Sequence, residues 1–371
     1  MRVVDLTQWY SPVSGGIRTY LLAKAEWAGR HGLAHAAVVT GPRGEVEMVG
    51  DSPFESVRGR SPSRSWGYRV ALRPAPVLAA LERLEPSVVV IHDALAFPRS
   101  VARWAERRGV GVAMLCHSDL ALGAAGLPGP LRRPAMATLA AAQRRALRAP
   151  SAILVASETS RRRVAAPVGV PVVTSPLGVD LAVFARATPD PELRAHLAPP
   201  EAALLLYAGR ISSEKRVDLL PPALAALGGS PVLAIAGTGA ATPALMRAAR
   251  RLGVADRIVL LGHVAERGRL ATLMATADCF VHPNPTEPFG LCPLEALAAG
   301  CRVVAPDAAG TAELLRDRGA VLVAPGDPEA MAQGIREAID RPRPRPDLGD
   351  LTWERTFARE WGVYETLAVA A

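Results

Sequence analysis

Short apolar runs that alternate with amphipathic stretches constrain this chain more than any other feature of its sequence. The runs of the first half lie at Arg2–Leu6, Ala36–Val39, Ser87–Ile91, Gly111–Leu115 and Ala152–Val155. A second series lies at Leu204–Tyr207, Val232–Ala236, Ile258–Leu261, Cys279–His282 and Val303–Ala305. Helical patterns separate the runs, an arrangement typical of parallel strands joined by helices. The sequence therefore predicts an α/β protein with two such series.

The length also favours two domains, because the chain has 371 residues and domains usually hold roughly 100–200. Helices are predicted at Ile17–His31, Ala75–Leu84, Ser100–Arg108, Leu131–Arg148 and Thr352–Leu367. We predict a first domain over residues 1–183, completed by 345–371 crossing back to it, and a second domain over 184–344. The segment Gly41–Arg73, rich in Gly, Pro, Ser and Arg, is predicted to be irregular.

Charge and cysteine content narrow the class of protein. The net charge is +8, yet the arginines are scattered and no nucleic-acid-binding signature is present, so no nucleic-acid partner is expected. Only Lys24 and Lys215 are lysines, which makes Lys215, within a motif described below, worth attention. The four cysteines lack CxxC spacing, and no targeting or membrane-spanning segment is evident, so we expect a reduced cytoplasmic protein. Leu131–Arg148 suits either a solvated helix face or a peripheral contact with the inner face of the plasma membrane.

The strongest motif runs from Glu287 to Glu295 and follows an apolar strand. Pro293 suits the first turn of a helix, so that Phe289, Gly290 and Leu291 form a strand-to-helix loop with free backbone N–H groups. Such a helix start attracts anions, and both glutamates are able to accept hydrogen bonds from sugar hydroxyls. The alternative for Glu295 is a favourable interaction with the helix dipole alone.

A second motif, Tyr207 to Lys215, also follows an apolar strand. Arg210 and Lys215 are expected beyond the carboxyl end of that strand, where open α/β sheets bind ligands. Two cations there suit a diphosphate, and the alternative is two ordinary solvated charges.

Glycine turns complete the pattern. In the second series they are Gly237 and Gly239, and the turn that precedes His263 and Val264. In the first half, Gly15 and Gly16 allow a ligand phosphate or an acceptor to approach the backbone. Arg18 is interpreted either as an acceptor contact or as a surface charge, and His117 either as a ligand contact or as a structural residue.

In this order the motifs resemble those of the large paired-glutamate family of retaining glycosyltransferases, the family 4-like enzymes of GT-B architecture. The resemblance implies two Rossmann-like domains whose parallel sheets face a central cleft. It implies that Glu287 contacts the transferred sugar and Glu295 the ribose, while Arg210 and Lys215 neutralise the departing nucleotide diphosphate. The remaining residues implied to bind the donor are Gly237, Gly239, His263, Val264, Phe289, Gly290, Leu291, Gly15 and Gly16, with His117 facing the donor sugar.

We therefore predict a retaining hexosyltransferase that needs no metal, since the sequence holds no Asp-x-Asp pair, and no cofactor beyond the nucleotide-sugar co-substrate. The opening and the His117 region resemble actinobacterial mannosyltransferases acting on phosphatidylinositol or other lipids. This favours mannose from GDP-mannose and a lipid-linked, polyol or glycan acceptor. The alternatives are a UDP-sugar donor with a small-molecule acceptor, or a non-catalytic nucleotide-sugar-binding module. A dinucleotide-dependent dehydrogenase is disfavoured because no GxGxxG follows the first strand.

Overall fold

The structure, a computed structural model, describes residues 1–11, 15–61, 68–117, 129–165 and 169–370. Its strands are β1 Arg2–Leu6, β2 Ala34–Gly41, β3 Val46–Val49, β4 Ser52–Arg58, β5 Val88–Ile91, β6 Gly111–Cys116, β7 Ala152–Val155, β8 Val172–Thr174, β9 Leu204–Ala208, β10 Val232–Ala236, β11 Ile258–Gly262, β12 Cys279–Val281, β13 Arg302–Pro306 and β14 Val321–Val323. Its helices are α1 Gly16–Arg30, α2 Pro74–Leu84, α3 Pro98–Glu106, α4 Gly129–Ala146, α5 Glu158–Ala165, α6 Leu181–Phe184, α7 Pro191–Leu197, α8 Leu220–Leu227, α9 Thr242–Arg251, α10 Arg267–Thr276, α11 Leu291–Ala298, α12 Ala309–Leu315, α13 Pro328–Asp340 and α14 Trp353–Ala370.

The chain folds into two compact units. The first comprises Met1–Pro176 together with the chain from Trp353 onward, and the second comprises Leu177–Thr352. The bounds predicted from the sequence, 1–183 with 345–371 and 184–344, differ from these by seven residues at the first boundary (183 − 176) and eight at the second (352 − 344). Each unit has its own sheet and its own hydrophobic core.

The first unit is built on an eight-stranded sheet in the order β3-β4-β2-β1-β5-β6-β7-β8. All neighbouring strands are parallel except β3 and β4. Because β2 pairs with one side of β1 and β5 with the other, the chain changes direction across the sheet at β1. The carboxyl ends of β1 and β5 therefore flank a topological switch point, the place where such sheets bind ligands.

The final helix belongs to the first unit. α14 packs against α1 and β6, and its side chains Phe357 and Tyr364 are fully buried. Trp353 stacks on Phe357 with ring centroids 5.3 Å apart. The apolar face of this helix thus completes the core of the first unit.

The prediction that Gly41–Arg73 is irregular is wrong for Val46–Val49 and Ser52–Arg58. β3 and β4 form an antiparallel pair there, and β4 also pairs in parallel with β2. Phe54 and Val57 of β4 are buried. Packing against the rest of the unit therefore stabilises this strand, and such packing cannot be predicted from the residues next to it in sequence. Pro53, at the second position of β4, made the run look like a loop.

The second unit holds a six-stranded sheet in the order β11-β10-β9-β12-β13-β14, with every neighbouring pair parallel. β10 pairs with one side of β9 and β12 with the other. The switch point of this sheet therefore lies between the carboxyl ends of β9 and β12. The two strongest sequence motifs follow these two strands.

The Pro-rich stretch after α13 is held to the second unit by an arginine. Arg343 donates hydrogen bonds to the carbonyl oxygens of Ala275, at 2.8 Å, and Ala277, at 2.9 Å. Arg302 donates in turn to the carbonyl oxygen of Arg341 at 2.7 Å. Over the residues that the structure describes, none of the helices is both long and apolar enough to cross a bilayer.

Candidate active site

An ion pair occupies the switch point of the second sheet. Lys215 ends a short 3-10 turn, Ser213–Lys215, that follows β9, and Glu287 lies in the loop that follows β12. Lys215 Nζ lies 2.5 Å from Glu287 Oε2, although 72 positions separate the residues in sequence. The two motifs meet because the carboxyl ends of neighbouring parallel strands share one edge of the sheet.

The carboxylate of Glu287 is held ionised by its neighbours. Asn284 Nδ2 donates to Glu287 Oε2 at 3.0 Å, from the same loop. Burial raises the pKa of this carboxyl, but the charges of Lys215 and His282 and the hydrogen bonds from Lys215 and Asn284 together outweigh it and bring the pKa to about 2. Glu287 is therefore an oriented anion at neutral pH, able to accept hydrogen bonds and unable to act as an acid.

His282, directly after β12, also belongs to this cluster. Burial lowers the pKa of its ring to about 4, while the charges of Glu287 and Lys215 act on the ring in opposite directions. Within the described residues, its buried Nε2 has no hydrogen-bond partner. A buried ring nitrogen left in this way suits a polar group of a ligand.

Arg210 lies on the same side of the sheet. Its guanidinium forms an ion pair with Glu214 at 3.1 Å and is partly exposed. The Tyr207 hydroxyl donates to the backbone carbonyl of Arg210 at 2.7 Å, which fixes the turn after β9. Burial raises the pKa of the Tyr207 phenol; the charge of Glu287 adds to this rise and that of Arg210 opposes it. The two motifs therefore lie in one neighbourhood.

Glu295 lies within α11 and is almost fully buried. Its Oε1 accepts a hydrogen bond from Arg267 Nη2 at 2.9 Å, and burial raises the pKa of the carboxyl against the opposing charge of Arg267. The Arg267 guanidinium lies over the ring of Phe184, 4.8 Å from its centroid. Burial, with the charges of Glu295 and Glu287, raises the pKa of the Cys292 thiol to about 12, whereas Lys215 and Arg267 oppose this rise. Glu287, Glu295 and Lys215 thus all lie close enough to the Cys292 thiol to affect its pKa.

The start of α11 has the predicted strand-to-helix form. Gly290 is the N-cap with φ +96°, and Leu291 opens the helix. A Cβ at Gly290 would lie 2.8 Å from Thr311 Oγ1, so this position requires glycine for both conformation and space. Phe289 is buried beneath the loop.

Gly237 and Gly239 hold two loops together. Cβ atoms there would lie 1.9 Å from the carbonyl oxygen of Gly209 and 2.2 Å from that of Ile211, respectively. Ile211 N–H donates to the carbonyl of Thr238 at 3.0 Å. The glycines therefore allow the backbone after β10 to pack directly on the backbone after β9, a structural role that the sequence analysis did not consider.

We expect Gly237→Ala to destabilise the second unit by about 1–3 kcal/mol, because the added methyl forces the two loops apart. Thermal or urea denaturation of the full chain, followed by far-ultraviolet circular dichroism, measures this change. Gly362→Ala is the matched control, since a Cβ at this exposed helical position meets no atom within 4 Å. Equal stability of the two variants would contradict the loop packing described here.

His263 and Val264 follow β11 at the same edge of the sheet. His263 is exposed and Val264 is half-buried. An isolated bridge between Gly237 and Gly262 places this turn beside the loop after β10. The structure therefore brings the three predicted donor loops of the second unit to one edge.

The remaining predicted residues lie in the first unit. Gly15 precedes α1 and Gly16 begins it, and Cβ atoms at both positions would have no atom within 4 Å. Arg18 lies in the first turn of α1; burial raises the pKa of the Tyr10 phenol, and the charge of Arg18 opposes this rise. His117 follows β6 and is bonded to His92, a residue that the sequence analysis missed. Residues 12–14 of the glycine motif lie outside the described residues.

The chain thus has two units with largely parallel sheets, and the second carries glycine and charged residues at its switch point; the architecture is that of a GT-B glycosyltransferase. The model for Glycosyltransferase Family 4 matches residues 14–183, and that for Glycosyl transferases group 1 matches residues 190–351. The chain is 32% identical, over all of its length and 97% of the relative, to a GDP-mannose-dependent alpha-(1-6)-phosphatidylinositol dimannoside mannosyltransferase of Mycobacterium tuberculosis. It is 36% identical over half of its length, and 46% of the relative, to a D-inositol 3-phosphate glycosyltransferase of Catenulispora acidiphila.

Solved structures agree on the fold. A sucrose-phosphate synthase from Thermosynechococcus elongatus superposes with a TM-score of 0.77 at 18% identity over all of both chains. Anabaena Alr3699/HepE in complex with UDP and glucose superposes with a TM-score of 0.70 at 20% identity, over all of this chain and 96% of that one. The chain belongs to the group 1/family 4-like glycosyltransferases. It is a hexosyltransferase, and the dehydrogenase alternative is set aside.

Proposed function

We propose that this glycosyltransferase is a retaining, metal-independent enzyme that takes mannose from GDP-mannose. The proposed acceptor carries an inositol or another polyol, either lipid-linked or as part of a glycan. The names of the two relatives support this choice, because the full-length relative is GDP-mannose-dependent and both names contain an inositol compound. The observation that carries the proposal is the ion pair of Lys215 with Glu287, beside Arg210, at the β9/β12 switch point.

The leaving group in this reaction is a nucleoside diphosphate, whose negative charge grows as the glycosidic bond breaks. Lys215 and Arg210 supply two cations to that charge, and stabilisation of this kind is usually a large catalytic contribution. Glu287 holds Lys215 in place before the donor arrives and offers its second oxygen to a sugar hydroxyl. Glu295, oriented by Arg267, is proposed to take the ribose, and His282 a polar group of the donor.

A donor panel tests the proposal. The full chain is assayed with GDP-mannose, UDP-glucose and UDP-N-acetylglucosamine, by thermal shift and then by turnover with phosphatidylinositol, inositol phosphate and simple glycans. We expect stabilisation and product formation with GDP-mannose, and a product that keeps the anomeric configuration of the donor. Selective use of a UDP-sugar would replace the donor assignment, and an inverted product would overturn the retaining mechanism.

Activity should survive removal of divalent cations. Among the described residues, no group of three or more His, Cys, Asp or Glu side chains is placed to hold a metal ion, and Lys215 with Arg210 takes the neutralising role. We expect initial rates in excess EDTA to stay within about twofold of those with added Mg²⁺ or Mn²⁺, since no catalytic contribution of several kcal/mol is assigned to a metal. A rate that depends strictly on either ion would contradict this part of the proposal.

We also propose that the enzyme works at the inner face of the plasma membrane, to which its first unit binds peripherally. A cavity of about 560 Å³ in this unit is lined by Arg99 of α3 and by Arg145, Arg148 and Ala149 around the end of α4, which suits anionic headgroups. Flotation with vesicles of phosphatidylinositol in phosphatidylcholine tests this idea. We expect Arg99→Ala/Arg145→Ala to reduce the bound fraction, and equal binding to pure phosphatidylcholine would contradict it.

A further inference from the structure

A short helix of the second unit brings an aromatic ring to the neighbourhood of the buried glutamate of α11. This helix, α6 (Leu181–Phe184), packs against both α10 and α11. Asp180 caps it by accepting a hydrogen bond from the backbone N–H of Val183 at 3.2 Å, which fixes where the helix begins. Phe184, at the other end of α6, is fully buried. The sequence that follows the start of the second unit thus supplies one fixed ring to α10.

Arg267, the first residue of α10, contacts both that ring and Glu295. Its guanidinium lies over the Phe184 ring, 4.8 Å from the centroid, and its Nη2 donates to Glu295 Oε1 at 2.9 Å. A guanidinium is attracted to the face of an aromatic ring, and because it is planar it stacks and donates hydrogen bonds at the same time. Phe184 therefore orients Arg267, and Arg267 orients one oxygen of Glu295.

The surroundings of Glu295 make this cation important. The side chain of Glu295 is only 3% exposed, whereas that of Arg267 is 33% exposed. Burial raises the pKa of the Glu295 carboxyl, the charge of Arg267 opposes this rise, and the charge of Asp180 adds to it. Without Arg267, burial and a neighbouring like charge would both act against a carboxylate at this position.

The ion pair engages one carboxylate oxygen and leaves the other for a ligand. Oε1 accepts from Arg267, and over the described residues no hydrogen bond is assigned to Oε2. A carboxylate oxygen accepts hydrogen bonds, and the hydroxyl groups of a ribose donate them. Hydrogen bonds to a charged acceptor are also stronger than those between neutral groups. Because the carboxylate is held at Oε1, the direction in which Oε2 points depends on Arg267.

We propose that Arg267, stacked on Phe184, is a positioning residue that holds Glu295 in the orientation in which it accepts hydrogen bonds from the ribose hydroxyls of a nucleotide. The arrangement makes the second unit selective for nucleotides that carry these hydroxyls. The inference rests on the proposed function in one respect, that Glu295 takes the ribose. It depends neither on the base nor on the sugar of the donor, and all the residues that carry it belong to the second unit.

Isothermal titration calorimetry of the full chain with GDP and with 2′,3′-dideoxy-GDP tests this role, because the two ligands differ only in the ribose hydroxyls. We expect the wild type to bind GDP at least about tenfold more tightly than the dideoxy analogue, the gain from hydrogen bonds to a charged group. In Arg267→Met the affinity for GDP should fall by most of this factor. The affinity for dideoxy-GDP should stay within about twofold of wild type, since that ligand makes no contact that Arg267 orients.

Further variants separate positioning from charge. Phe184→Leu keeps an apolar side chain under Arg267 without the ring face, so it should lose part of the preference for GDP. Arg267→Lys keeps the cation without the planar guanidinium, so it should retain part of this preference. Arg247→Met is the matched control, because it removes the same charge from an exposed position of α9 and should keep the full preference. If Arg267→Met does not fold, Phe184→Leu and Arg267→Lys provide the same test.

The outcomes distinguish this inference from the proposed function. If Arg267→Met keeps the wild-type preference for GDP, or binds both nucleotides more weakly by the same factor, the positioning role is overturned while the proposed function stands. If the wild type binds UDP in place of GDP, the proposed donor is wrong. UDP and 2′,3′-dideoxy-UDP then replace the GDP pair, and loss of the preference in Arg267→Met still supports the positioning role. A wild type that binds both members of a pair equally would overturn the ribose contact of Glu295 and this inference with it.

Discussion

Replacing Lys215 by Ala should lower turnover at least about a hundredfold, which corresponds to about 2.7 kcal/mol of transition-state stabilisation. The side chain lies at the switch point of the second sheet and contacts Glu287 at 2.5 Å. In the proposed mechanism, its removal takes away one of the two cations that stabilise the departing diphosphate. Initial rates with saturating donor, measured on purified folded protein, give the effect.

Two further variants show whether the loss of turnover comes from the catalytic step rather than from the change of net charge or from misfolding. Arg251→Ala removes the same charge from an exposed position at the end of α9 and should keep wild-type turnover. The double variant Lys215→Met/Glu287→Gln leaves no unpaired charge behind, so it should fold like the wild type and remain inactive. Near-normal turnover of folded Lys215→Ala would show that this lysine does not stabilise the leaving group.

Replacing Lys24 by Met should lower the free energy of unfolding of the first unit by about 3–5 kcal/mol, because it leaves a buried carboxylate without its cation. Lys24 and Asp5 are both inaccessible to solvent. Lys24 Nζ also lies 4.0 Å from Glu360 Oε2 and donates to the Tyr364 hydroxyl at 3.2 Å. A methionine of similar length fills the space but makes none of these polar contacts.

Urea denaturation followed by tryptophan fluorescence measures this loss selectively. Every tryptophan of the chain lies in the sequence range of the first unit, so the signal reports that unit. Arg30→Met, at an exposed position at the end of the same helix, is the matched control and should stay within about 0.5 kcal/mol of wild type. A comparable small change for Lys24→Met would mean that the buried ion pair contributes little.

Much of the fold could be predicted because the strands carry their own local signal. Runs such as Val232–Ala236 are short, apolar and flanked by turns, and they form strands at the expected places. β3 and β4 could not be predicted in this way, since Phe54 is recognisable as a core residue only once β2 lies beside it. The short strands β8 and β14 likewise depend on their neighbours in the sheet.

The proximity of Lys215 and Glu287 follows from sequence for a general reason. Both motifs come directly after strands, and the carboxyl ends of parallel strands share one edge. No such rule reveals Arg267 as the partner of Glu295, because their contact depends on how α10 packs against α11. The contact between Asp5 and His92 was missed because it depends on the pairing of β1 with β5, which the residues around each of them do not show.

The scarcity of lysine in the sequence pointed to the buried ion pair of the first unit, but it was used only to single out Lys215. The chain has two lysines among 43 cationic residues, and scarcity drew attention to Lys215. The same argument applies to Lys24, which forms the buried ion pair of the other unit. In a chain that uses arginine almost everywhere, both lysines thus occupy positions where a compact ammonium group contacts a carboxylate.

The most direct measurement is an experimental structure of the full chain with bound GDP. If the proposed function is right, the two phosphates lie against Lys215 and Arg210, with the ribose beside Glu295. A nucleotide found elsewhere on the second unit, or one whose phosphates contact neither cation, would contradict it.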